Sequence, residues 1–138
     1  MGRRWQVFIA PGEDGEELPI PESPWHVSRQ AVIPEEHWKV IMEFAEKNIP
    51  GLGELLDSAS YFDEDYSKWS EKKTQIMYEG LKKLCVLIAQ SEPLTPEVTD
   101  EILEDYSPEA HIDMIKAVIA VIEESQRMGE MFDSYIDS

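Results

Sequence analysis

The sequence predicts a mainly α protein: a single-domain helical bundle of about four to five helices with a short N-terminal strand or hairpin. Three observations predict it. Apolar residues recur at three- and four-residue spacing through much of 34–128. Two hydroxyl-Pro-Glu triplets, Thr95-Pro96-Glu97 and Ser107-Pro108-Glu109, mark helix starts. Prolines and glycines crowd the first quarter of the chain and keep it extended.

The elements follow in order. Trp5, Val7 and Ile9 alternate with Gln6, Phe8 and Ala10, as in a short strand. Residues 11–24 hold four prolines and five glutamates or aspartates and predict an exposed arm, and 25–33 is extended again and able to pair with the first strand. From Pro34 the period changes. His37, Trp38, Val40, Ile41, Phe44 and Ala45 share one helical face, and the helix stops near Asn48, before Pro50 and Gly51. A short turn of helix covers Leu52 to Leu56. A long helix then starts at Ser67 or Ser70 and runs to about Gln90, with Met77, Leu81, Leu84, Cys85 and Ile88 as its apolar stripe.

A short third helix spans about 96–105. The last runs from Pro108 to about Met128 and stops at Gly129. Its stretch Ala117 to Ile122 is apolar on every side, which marks the central helix. No repeat or linker divides the 138 residues. One domain is expected, with 1–33 a loop-rich N-terminal arm, 34–128 the helical core and 129–138 a C-terminal tail.

Composition narrows the function. A 42% hydrophobic content supports a core, and 29 acids against 12 bases give a net charge of -17. Such a field repels nucleic acid and anionic membranes and speeds encounter with basic partners. No direct nucleic-acid or membrane binding is expected. A halophilic surface is the competing explanation of the acidity, ranked lower because the chain holds 20 Glu and 9 Asp and keeps many Ile and Leu. The lone Cys85 makes no internal disulfide, and the apolar run from Trp5 to Ala10 is too short for a signal core, so the default location is cytoplasmic.

No catalytic, metal or cofactor motif stands out. His26, His37 and His111 have no second ligand at metal spacing. Cys85 lies among Leu84, Val86 and Ile88, as a core thiol would. Gly51-Leu52-Gly53 lacks the remaining residues of a phosphate loop, and Asp63-Glu64-Asp65 lacks the spacing of a calcium loop. The expectation is a protein that is not an enzyme, with no cofactor and no metal.

Two features point instead to a protein partner. Tyr61, Phe62 and Tyr66 are interleaved with Asp63, Glu64 and Asp65, and Trp69 follows. Rings supply apolar anchoring while acids steer Lys and Arg. The second is an acidic ridge of Glu97, Asp100, Glu101, Glu104 and Asp105, whose like charges at helical spacing oppose the helix they decorate. A solvated face is the plainer explanation of each residue alone.

In size, acidity and an acidic–aromatic segment before a lysine-bearing helix, the chain resembles bacterial toxin-immunity proteins. The resemblance covers Tyr61–Trp69 and the acidic 92–113 stretch and matches no family motif residue by residue. It implies a cytoplasmic inhibitor that neutralises a basic toxin, often a nuclease. Three alternatives remain open: a phage-type DNA mimic, a small hydrolase or transferase using scattered acids and His111, and a structural or adaptor subunit.

Overall fold

A computed structural model describes residues 4–10, 26–27, 29–57, 71–94 and 107–137. The described chain is mostly helical, with four helices and a small antiparallel sheet. Strands β1 (Trp5–Ile9), β2 (His26–Val27) and β3 (Gln30–Pro34) precede helices α1 (Glu35–Asn48), α2 (Leu52–Asp57), α3 (Glu71–Ala89) and α4 (Pro108–Met128), and β4 (Asp133–Asp137) follows. The sheet order is β2-β3-β1-β4.

The four described helices form where the periodicity places them, for local reasons, and the short helix expected at about 96–105 lies outside the described residues. Ser107 accepts a hydrogen bond from the Ala110 amide at 3.2 Å, Pro108 opens α4, and Gly129 closes it in the left-handed region at φ 69°. That single-residue reversal favours glycine, which carries no Cβ to clash. Replacing Ser107 with Ala leaves the amide uncapped and is expected to cost about 1 kcal/mol, read as a lower urea midpoint at unchanged slope.

The tertiary arrangement corrects the expected bundle. α4 packs on α3 on one side and on β1, β2 and β3 on the other, so it is the central helix of a layered structure. α3 and α4 run antiparallel: Tyr78 donates to Glu123 at 3.2 Å and Gln126 to Gln75 at 3.2 Å. α1 also packs on β1 and β3, where Phe8 meets Trp38 edge-on at 4.9 Å and Phe132 at 6.0 Å. Val7 and Val32, on the opposite pleat from Phe8, are buried as well. A strand apolar on both faces needs cover on both. The expected strand or hairpin is instead part of a four-stranded sheet packed against α1 and α4.

The C-terminal residues differ most from expectation. Within 129–138, expected as a tail, Asp133–Asp137 form β4, paired with β1 from Trp5↔Asp137 to Ile9↔Asp133. The first strand thus sits between β3 and a strand from the far end of the chain. Glu35 ties the same sheet to α1: Arg4 Nε lies 3.1 Å from its carboxylate and Lys39 Nζ 3.5 Å, the latter an i,i+4 pair within the helix.

Candidate functional site

The corner between α1 and α2 begins as a helix stop. Asn48 donates to the Phe44 carbonyl at 2.8 Å, Pro50 prevents continuation, and Gly51 turns the chain at φ 92°. The Gly51 amide donates to Glu46 at 3.2 Å, and α2 starts again at Leu52. This six-residue helix is a ridge with two unlike flanks.

One flank is acidic. A groove of about 630 Å³ lies between α1 and α2, lined by Lys39, Met42, Glu43, Glu46, Gly53 and Glu54. Glu43, Glu46 and Glu54 are all exposed, against one cation at the Lys39 end. The other flank is apolar. A notch of about 210 Å³ is lined by Ile49, Leu52, Leu55 and, from α3, Ile76 and Gly80, with Pro50 and Gly51 at its lip. Gly80 lets α3 approach closely, since a Cβ there would come within 2.9 Å of a Leu52 methyl, which would have to shift. Ile76 is 51% exposed and gives the notch an apolar wall open to solvent. The pair of flanks suits a guanidinium or ammonium beside an apolar side chain. Carboxylates accept charge-assisted hydrogen bonds, and the notch removes apolar surface from water.

All the contact residues expected from sequence, Tyr61, Phe62, Asp63, Glu64, Asp65, Tyr66, Trp69, Glu97, Asp100, Glu101, Glu104 and Asp105, lie outside the described residues. Their attachment points are described. Residues 58–70 join the end of α2 to the start of α3, and 95–106 join Leu94 to Ser107. α3 has 19 residues, so Glu71 and Ala89 stand about 27 Å apart, at opposite ends of the α3–α4 pair.

The histidines hold a feature that the sequence does not reveal. His37 Nδ1 and His111 Nε2 are 3.1 Å apart, with ring centroids at 5.3 Å and planes at 69°. Both rings are buried, His37 at 1% exposed and His111 at 0%. One nitrogen must carry a proton and the other accept it, so the pair pins α1 to α4. At that depth the pair is part of the packing between α1 and α4. No sequence signal links residues 74 apart.

Cys85 is half-buried at the margin of the α3 stripe. Burial raises its thiol above the ordinary range, opposed by the charge of Lys116. Alkylation at pH 8 is expected to run slower than for free cysteine and to rise at higher pH as thiolate forms. A reaction as fast as that of an activated thiol would overturn the structural assignment. Among the described residues no three His, Cys, Asp or Glu side chains are grouped to hold a metal, and no helix is long and apolar enough to cross a membrane. Comparison of the chain with protein families, characterised proteins and solved structures finds no match.

Proposed function

We propose that this chain is an acidic protein-binding module that inhibits a basic protein, in the manner of a toxin-immunity protein, with a nuclease toxin as the partner class. The observation that carries the reading is the α2 ridge, with three exposed glutamates on one flank and an apolar notch holding Ile76 on the other. The net charge of -17 adds long-range steering toward a cationic surface. Such a role needs a rigid scaffold and no reacting group. It would operate in the cytoplasm, where a lone reduced cysteine is at home.

The test starts with capture of the partner from the native source and its co-expression with this chain. The chain should restore growth to cells making the partner. Changing Glu43, Glu46 and Glu54 together to Gln should slow association about tenfold at low salt, with a smaller effect once the Debye length falls below about 10 Å. Ile76→Ala should instead speed dissociation, by about 1–2 kcal/mol. Wild-type kinetics for both variants across that salt range would remove the ridge from the interface. Failure to protect against any basic partner would remove the inhibitory reading itself.

A further inference from the structure

β4 closes one side of the sheet, and the directions of its backbone groups follow from the neighbouring ladder. The Ala10 amide donates to the Arg29 carbonyl at 2.9 Å and the Glu35 amide to the Arg4 carbonyl at 3.0 Å. These bonds extend the β1–β3 register at both ends, so the even-numbered residues of β1 bond toward β3. Trp5, Val7 and Ile9 accordingly bond the other way, to Asp137, Tyr135 and Asp133. Ser134 and Ile136 therefore turn their main-chain N–H and C=O groups away from β1. Among the described residues no strand pairs with that edge.

Sheet edges are normally blunted by proline, charged side chains, a bulge or very short length. β4 has no proline or lysine, its charges are confined to Asp133 and Asp137 at its two ends, and its pairing runs five residues without interruption. It instead carries Tyr135 and Ile136 at 43% and 46% exposure. The Ser134 hydroxyl donates to the Leu56 carbonyl at 3.3 Å, which ties that residue's side chain to α2 and leaves its backbone groups on the edge.

We propose that the outer edge of β4 is a strand-addition site for an extended segment of a partner protein, added antiparallel, with a basic residue two positions before an apolar one. A strand on this edge would hydrogen-bond Ser134 and Ile136. Tyr135 and Asp137 would then occupy the non-hydrogen-bonded positions, where facing Cα atoms approach to about 4.5 Å and side chains meet most closely. An apolar residue is called for opposite Tyr135 and a cation opposite Asp137. The local field agrees: burial, then the charges of Asp137 and Asp133, push the Tyr135 phenol above its usual range. A second copy of this chain fits poorly. Antiparallel self-pairing centred on Tyr135 would set Asp133 against Asp137 at both ends, and like charges directly opposite destabilise a sheet. The site uses the main chain of β4 and stands independently of the α2 ridge.

The experiment is residue-resolved amide hydrogen exchange on the full chain. The probe is a capped six-residue peptide of threonines with one Lys two positions before one Val; the control has Glu in place of that Lys. The Lys peptide should slow exchange of the Ser134 and Ile136 amides at least about tenfold, while the Tyr135 amide, already bonded to β1, stays unchanged. Asp137→Lys should reverse the preference between the two peptides. Ile136→Pro, which removes an outward donor only, should abolish the response while the β1–β4 ladder survives. An equal response to both peptides, or none, would overturn the proposal. So would protection at both outward amides before peptide is added: independent of protein concentration, it means the chain covers its own edge, and rising with concentration, it means a second copy does.

Discussion

Val118→Asp should abolish folding. Val118 is fully buried in α4, the helix between α3 and the sheet, with Ile115 and Ile122 one turn away on either side and fully buried too. An aspartate there loses the apolar contact of valine and must either desolvate a carboxylate or take up a proton. The combined cost is about 5 kcal/mol or more, comparable to the whole stability of many small domains. Far-UV circular dichroism without denaturant should show the loss directly. The same change at Ile119 should cost less, because that residue lies at the margin of the core and is 9% exposed. If Val118→Asp kept a urea midpoint near wild type, α4 would not be the central helix.

The second large effect is expected at the histidine pair. His111→Ala leaves a cavity against α1 and strips His37 Nδ1 of its partner at 3.1 Å. The lost packing and the lost hydrogen bond together cost about 3 kcal/mol. A double-mutant cycle isolates the contact. His37→Ala and His111→Ala should each be strongly destabilising, and the double variant should be less so than their sum by about 1–2 kcal/mol. Strict additivity would mean that each ring packs separately and that nothing passes between them. The protein binding proposed for the α2 ridge should be unchanged in whatever fraction stays folded, since neither ring lines the groove or the notch.

These two predictions differ in where their basis can be read. The importance of α4 is visible in the chain itself: Ser107-Pro108 opens the helix, Gly129 ends it, and Ala117 to Ile122 is apolar all round. The meeting of His37 with His111 is visible only after folding. The same division runs through the candidate site. Glu43 and Glu46 read as one wet face of α1, but the groove exists because α2 turns back beside them and brings Glu54 to the opposite wall.

Sequence by itself determined what depends on neighbours within a few residues. The stop of α1 at Asn48, the restart at Leu52, the caps of α4 and the buried stripe Met77, Leu81, Leu84 and Ile88 all follow from local sterics, capping and helical period. The pairing of the first strand with the extended 25–33 stretch was legible too, and only the tertiary structure decided the last strand. Asp133-Ser134-Tyr135-Ile136-Asp137 has weak intrinsic strand preference, with three of its five residues Asp or Ser. It becomes a strand because β1, more than a hundred residues earlier, offers a row of backbone groups on the side not taken by β3. Hydrogen-bond partners at that separation leave no periodic trace in a local window, since the pairing energy belongs to two segments at once. For the same reason the helix face, an intrachain pattern, was legible, and the edge of the sheet was not.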